Sequence, residues 1–247
     1  MKKLAWIALA IALTATASAQ ERITLRLVCD ETADLRVAVE CMMLLETRVP
    51  VKVVIERMPW KRCLEVELNG GSADGAFLAS YQASREEFGV YPTKDGKPDA
   101  DRRYNRAGYF FYRLKGSAVT WDGVSLGNMT RPIGAQRGYS IVEDLRKAGY
   151  TVEEGVGTLA DLQKLAAGRL DLVAAIEEMA DQVLLDYPDL AARIEKVEIP
   201  YSAKPYYLML SHQFVTAHPD LARAIWDAVK SIRENEYLAV YSKYMAY

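Results

Sequence analysis

The chain has 247 residues, 51% of them hydrophobic and 26% charged, with a net charge of −2 from 31 basic and 33 acidic side chains. That balance is globular and excludes a disordered or fibrous chain, and a slightly acidic protein has no general attraction for nucleic acid. At roughly 100–200 residues per domain, the length suits one large domain or two small ones.

The first residues stand apart. Met1-Lys2-Lys3 is a short positive start, Leu4 to Leu13 is apolar, and Ala17-Ser18-Ala19 has the small–x–small form before Gln20. Together they read as a secretory leader over 1–19, whose apolar run is too short to span a bilayer. Its removal leaves about 228 residues and takes the net charge from −2 to −4. Export brings Cys29, Cys41 and Cys63 into an oxidising space, where one pair can bridge in any of three ways. Cys41 sits in an apolar helical run and reads as a small buried hydrophobe. Cys29 at a strand end and Cys63 in the first turns of a helix suit one end of a sheet, which favours a Cys29–Cys63 pair.

The elements then alternate. Ile23–Cys29 alternates as a strand, Leu35–Thr47 is a helix, Val51–Arg57 a strand, Trp60–Asn69 a helix, and Ala73–Ala79 a strand. This β-α-β-α-β series implies a mostly parallel sheet covered by helices. Residues 91–106 are polar and rich in Pro, Gly and charge, hence a loop, and Tyr109–Leu114 is a strand. A second series follows: strand Pro132–Gln136, helix Ile141–Ala148, strand Thr151–Glu154, helix Leu159–Ala167, strand Leu170–Ile176 and helix Glu177–Asp186. Val197–Ile199 and Tyr206–Leu210 are strands, and Pro219 opens an amphipathic helix to about Glu234. The tyrosines at 237, 241, 244 and 247 form a helical stripe that reads as packing. Two such series suggest two lobes, with a ligand site between them beyond the carboxyl ends of the strands.

Met58-Pro59-Trp60-Lys61-Arg62, the Gly-Gly-Ser-Ala-Asp-Gly-Ala run around Asp74, Ser80-Tyr81-Gln82-Ala83-Ser84-Arg85, Ile133-Gly134-Ala135-Gln136-Arg137-Gly138-Tyr139-Ser140, and Leu165–Asp171 come in a telling order. With Tyr206-Tyr207-Leu208 and His218-Pro219-Asp220-Leu221, they resemble bacterial periplasmic solute-binding proteins of family 3, the amino-acid type serving ABC importers. The resemblance implies an α/β, two-lobed periplasmic-binding-protein-like fold of type II. Lobe 1 would hold 20–112 plus 206–247, lobe 2 would hold 113–205, and hinge strands would run near Tyr109–Arg113 and Ala203–Leu208. It implies a monomeric periplasmic protein whose partners are a small solute and the membrane subunits of a transporter, with no cofactor.

Carried over by position, Arg85 falls where the family grips a ligand carboxylate, and a guanidinium is the right fork for that partner; the alternative is a surface arginine. Trp60 offers either an aromatic wall or core packing. Ser80, Tyr81 and Gln82 belong to the same segment, with Ser80 and Gln82 as hydrogen-bond donors. Gly138, Tyr139 and Ser140 open a helix whose free N–H groups can meet an anion. Tyr139 stands where the family has a small residue, which implies a narrower or aromatic pocket. The family's ammonium-binding acid aligns with Ile176, leaving Glu177 next door as the substitute, and the segment Asp30–Pro50 is short, so part of the usual ligand wall is missing. Two other readings stay open: a dehydratase of the cyclohexadienyl kind, with Glu177 or Glu31 as general acid, and a partner or sensor module with a vestigial pocket. His212 and His218 lack any metal-ligand spacing, so a zinc hydrolase is excluded, and His212 reads as a hydrogen-bonded edge residue.

Overall fold

The computed structural model describes residues 22–32 and 35–245, so the leader at 1–19 lies outside the described residues, as does Tyr247. In chain order the elements begin with β1 (Ile23–Asp30), α1 (Arg36–Met43), β2 (Val51–Met58), α2 (Trp60–Arg62) and β3 (Gly75–Ser80). A two-residue hairpin, β4 (Thr93–Lys94) and β5 (Lys97–Pro98), interrupts the polar segment, and the long β6 (Asn105–Leu114) follows. A second small hairpin, β7 (Thr120–Trp121) and β8 (Leu126–Gly127), precedes β9 (Ile133–Gln136), α3 (Ser140–Lys147), β10 (Val152–Gly155), α4 (Thr158–Ala166) and β11 (Leu172–Ile176). The chain continues through α5 (Glu177–Asp186), α6 (Pro188–Ala191), β12 (Ile194–Lys196), β13 (Ser202–Leu210), α7 (His212–Ala217), α8 (Pro219–Asn235) and α9 (Tyr237–Met245).

Nine of the strands form one sheet in the order β10-β9-β11-β6-β13-β3-β1-β2, with β12 paired to β6. Its two ends are parallel triads, β2-β1-β3 and β10-β9-β11, as the two β-α-β series require. The middle is antiparallel: β6 pairs β13 with Ser202 opposite Tyr109, β13 pairs β3, and β6 pairs β11. The two long strands therefore carry the chain from one triad to the other.

Strand alternation sets the cores. On the first triad Leu25, Leu27, Phe77, Leu208, Ile225 and Trp226 pack on one face, and Val28, Cys63, Leu68, Ala76, Tyr207 and Met209 on the other. On the second, Phe111, Ile133, Ile141, Leu145 and Leu172 face one way, and Tyr112, Leu162, Leu165, Val173 and Ala175 the other. Both faces are covered, so β11 reads as an unbroken apolar run rather than an alternating one. Along α8, Ala222, Ile225, Trp226, Val229 and Ile232 recur at helical spacing, and Trp226 Nε1 donates to Leu208 O at 2.9 Å.

Several local expectations change. The helix from Trp60 passes into a π-turn over Cys63–Leu68, and the run after α1 tightens to a 3-10 turn at Leu44–Thr47. Residues 212–217 are helical, because Ser211 Oγ accepts from Phe214 N at 3.1 Å and caps the turn. The strand expected at Val197–Ile199 lies at Ile194–Lys196. The Cys29–Cys63 bridge is not formed: all three cysteines are free and buried. Cys29 Sγ faces Glu56 O at 3.8 Å and Cys63 Sγ faces Met58 O at 3.6 Å, and burial pushes the thiols up to about 11 and about 12.

Candidate functional site

The carboxyl ends of both triads meet. Asp30 ends β1, Ser80 ends β3, Gln136 ends β9 and Ile176 ends β11, with Pro59-Trp60 following β2. Between them lies a cavity of ≈ 140 Å³, which also takes in side chains of α1, α5, α9 and the antiparallel strands.

Arg85 sits in a 3-10 turn, Ala83–Glu87, reached directly from β3, and is only 6% exposed. Its Nη1 donates to Ser80 O at 2.8 Å and Ser80 Oγ at 3.2 Å, and its Nη2 donates across the cleft to Gly138 O at 2.8 Å. The guanidinium lies 5.7 Å from the Trp60 ring centroid, a cation–π contact. Every acceptor is neutral, and nearby carboxylates are committed elsewhere: Glu65 to Lys61, Glu143 to Lys147 and Asp144 to Lys204. None of the ion pairs among the described residues includes Arg85.

Gly138 makes this approach possible. At φ +76° it is left-handed, and a Cβ there would stand 3.5 Å from Lys61 Cβ and 3.6 Å from Trp60 Cδ1. The next residue, Tyr139, is the N-cap of α3, and Val142 N donates to its carbonyl at 3.1 Å. Burial and the Asp30 carboxylate push the Tyr139 phenol well above its usual pKa, and its hydroxyl lies 4.0 Å from Met179 Sδ. Tyr139 lines the cavity.

Across the cleft Ser80 Oγ donates to Ser140 Oγ at 2.8 Å, and Gln82 Nε2 donates to Ser140 O at 3.2 Å and Asp144 Oδ1 at 2.8 Å. Lys204 on β13 pairs with Asp144 and reaches Ser140 Oγ at 3.2 Å; burial lowers its pKa, opposed by Asp144. On the other side Asp30 accepts from Thr32 N at 2.7 Å and from Gln136 Nε2 at 3.0 Å. One further device shapes the wall: Leu78 has φ +62°, beside a register shift between Tyr207 and Leu208, and its side chain enters the cavity. A left-handed leucine costs about 1–2 kcal/mol.

Of the residues singled out in the sequence, Arg85, Trp60, Ser80, Tyr139 and Ser140 line the cavity. Gly138 lines the neighbouring groove and accepts from Arg85 through its carbonyl, and Gln82 bridges to α3 behind Ser140. Tyr81 is turned away, edge-on to Tyr91 at 5.3 Å. Glu177 is also outside: its carboxylate is held by Lys196 Nζ at 2.7 Å, because the residue after a strand end faces away from its neighbour. Besides Asp30, the acid that reaches the cavity is Glu178 on the first turn of α5, where desolvation and the charges of Glu177 and Asp181 push its pKa up. The sequence reading also missed Asp30, Leu78, Tyr237 and Tyr241 as lining residues; for Asp30 the signal was its place at the end of an apolar strand. His212 is a helix-start residue whose Nε2 donates to Glu86 O at 2.8 Å.

No family profile matches the chain, and no curated protein matches it in sequence. Solved structures do. A histidine kinase sensor domain with similarity to periplasmic binding proteins superposes with TM-score 0.74 at 14% identity, over 91% of this chain and 97% of that one. The GluR0 ligand-binding core from Nostoc punctiforme, in complex with L-glutamate, gives 0.70 at 13% identity over 90% and 99%. The substrate-binding protein of an amino acid ABC transporter gives 0.69 at 13% identity over 91% and 100%. The chain has the two-lobed periplasmic-binding-protein fold. In this chain the antiparallel pair β6 and β13 joins the two parallel triads, and the cavity at Arg85 lies between the triads' carboxyl ends.

Proposed function

We propose that this chain is a periplasmic solute-binding protein that closes its two lobes on a small organic carboxylate. One observation carries the reading. Arg85 is a buried, permanently charged guanidinium in the cleft, bonded only to neutral oxygens, and such a charge calls for an anion. Trp60, Ser80, Tyr139 and Ser140 then surround the carboxylate, and Gly138 and Gln82 set the spacing between the lobes. Lobe 1 is 20–112 with 206–247 and lobe 2 is 113–205; they hinge through β6 and β13, and ligand contacts to both shift the open–closed population. Delivery to the membrane subunits of an ABC importer follows from the same reading, as does export by the leader.

Binding is favoured over catalysis because most of the matched structures are binding proteins; the dehydratase reading loses Glu31, which is exposed, and Glu177, which is bound to Lys196, and would have to use Glu178. A sensor or partner role is the second reading, supported by the cross-lobe bonds Ser80–Ser140 and Gln82–Asp144, which link the lobes through protein groups alone. The test is a thermal-shift screen of the mature chain against monocarboxylates, dicarboxylates and amino acids, with mass spectrometry of any co-purified molecule. A ligand at a hundred times its Kd stabilises by about 2.7 kcal/mol. Shifts with carboxylates and none with matched amides support the reading; a screen with no shift and no bound molecule favours the sensor or partner role.

A further inference from the structure

The C-terminal helix α9 is seated very differently from the helix before it. Helix α8 buries Ala222, Ile225, Trp226, Ala228, Val229 and Ile232 in the core of the first triad. Along α9 the inward stripe is Tyr237, Val240, Tyr241 and Tyr244, and of these only Val240 is buried. On its outer side Leu238 is 76% exposed, and Ala239, Ser242 and Lys243 also face water. Glu236 breaks the run between the two helices with φ −115°. Its N–H donates back to Ile232 O at 2.9 Å, its carbonyl accepts from Val240 N at 3.0 Å, and its carboxylate pairs with Arg48.

The far end of α9 is tied to α1 by polar contacts. Glu40 accepts from Lys243 Nζ and from the Tyr244 hydroxyl, each at 2.6 Å, and the Arg36 guanidinium lies 5.4 Å from the Tyr244 ring centroid. The Lys243 side chain is 58% exposed, so its ion pair is a weak tie. At nine residues α9 is too short to hold its form alone in water. One buried valine and a solvated polar cluster place it at the low-stability end of the fold.

What α9 covers gives this loose seat a consequence. Tyr237 and Tyr241 line the cleft cavity, together with Val37 and Ala38 of α1. Tyr237 also lies edge-on to Tyr104, with ring centroids 5.7 Å apart, and the Tyr104 hydroxyl is hydrogen-bonded to the Cys41 thiol, which is fully buried. Helix α9 is therefore cavity wall on one side and solvent-facing on the other. The carboxyl ends of the triads, by contrast, are bonded to each other directly, through Ser80–Ser140, Gln82–Asp144 and Asp30–Gln136.

We propose that α9 is a door to the cleft cavity. It swings about Glu236, lifts Tyr237 and Tyr241 out of the lining, and admits a solute while the triads stay joined. The door does not depend on the chemistry of that solute.

The movement can be read with the protein's own thiols. The folded mature chain is exposed to methyl methanethiosulfonate, and each cysteine is followed by peptide mass spectrometry. All three thiols are buried and raised in pKa by that burial, so each reacts only when its cover opens. Cys41 should be modified at least tenfold faster than Cys29 and Cys63. Lys243→Ala with Tyr244→Ala, which releases Glu40, should speed Cys41 at least threefold further and leave Cys29 and Cys63 unchanged. The same pair should speed, by at least threefold, the thiol of Ala107→Cys, a lining position that is 6% exposed. Equal rates at the three native cysteines would mean that they open only by global unfolding, and would overturn the door. A faster Cys41 with an unmoved Ala107→Cys thiol would describe a helix that frays without opening the cavity, and would overturn it as well. Hydrogen exchange of the wild type needs no variant: amides of 240–244 should exchange at least tenfold faster than those of 225–232, and equal protection contradicts the proposal. The carboxylate reading is decided separately, by the thermal-shift screen.

Discussion

Two cavities flank Arg85, and they solve the problem of charge in opposite ways. The open groove between α2 and α3 has a volume of ≈ 520 Å³ and is lined by Lys61, Glu65, Glu143, Arg146, Lys147 and Glu154. Its charges neutralise one another: Lys61 with Glu65 at 3.6 Å, Lys147 with Glu143 at 2.6 Å, and Arg146 with Glu154 at 2.9 Å. The chamber on the other side is smaller, mostly apolar and aromatic, and holds the Arg85 guanidinium together with the carboxylates of Asp30 and Glu178. Volume and charge density would select the groove as the binding site. Burial selects the chamber, because exposed pairs are worth only about 0–1 kcal/mol while the buried charges of Arg85 and Asp30, bonded to neutral groups, are far more costly.

The largest effect is expected at the chamber wall itself. Phe77 is 1% exposed, lines the chamber and belongs to the core of the first triad. Phe77→Ala should lower the unfolding free energy by about 3–5 kcal/mol in a urea titration; a loss below about 1 kcal/mol would mean that the chamber wall is not core.

Asp161 offers the contrast of a buried charge that can be given up. It is 1% exposed, neither carboxylate oxygen has a hydrogen-bond partner among the described residues, and Lys164 is 3.7 Å away. Burial pushes its pKa up to about 6 from 3.8. The folded state therefore binds this proton more tightly than the unfolded chain, so the stabilisation is present below about pH 4 and lost as the pH rises through about 6. Asp161→Asn, which resembles the protonated form, should raise stability by about 2–3 kcal/mol at pH 8 and by much less at pH 4, read from denaturant unfolding at the two values.

The smallest effect belongs to the groove. Replacing Glu143 and Lys147 together by Gln removes a pair whose lysine is 68% exposed, and should change stability by less than about 0.5 kcal/mol and carboxylate affinity by less than twofold. A larger loss of affinity would move the binding site to the groove.

The sequence displayed the fold more clearly than the site. Two β-α-β series gave both parallel triads, and the returning strands near Tyr109 and Ala203 are the antiparallel pair that joins them. Arg85, Trp60, Ser80, Tyr139 and Ser140 were legible because they lie at strand ends and turns, where the chain's own order brings them to the cleft. The acid at the mouth was misplaced by one residue: at the start of α5 that single step separates Glu177 on Lys196 from Glu178 at the chamber. The stripe through Tyr237 and Tyr241 looked like packing, and it is packing on one side; only the contact of α9 with α1 turns its other side toward the cleft. Long-range neighbours of this kind leave no local pattern. The free cysteines follow the same logic, since two thiols at one sheet end still turn to different carbonyls.

The central claim is that a ligand carboxylate completes the charge of Arg85. It is tested most directly by calorimetric titration of the carboxylate that gives the largest thermal shift in the screen, and of its carboxamide, into the wild type, Arg85→Lys and Arg85→Ala, with circular dichroism to verify folding of each. We expect binding of the acid by the wild type, weakening of at least tenfold in Arg85→Lys as the fork is lost, at least hundredfold in Arg85→Ala, and no measurable binding of the carboxamide. Equal affinity of acid and carboxamide, or undiminished binding by a folded Arg85→Ala, would contradict the account.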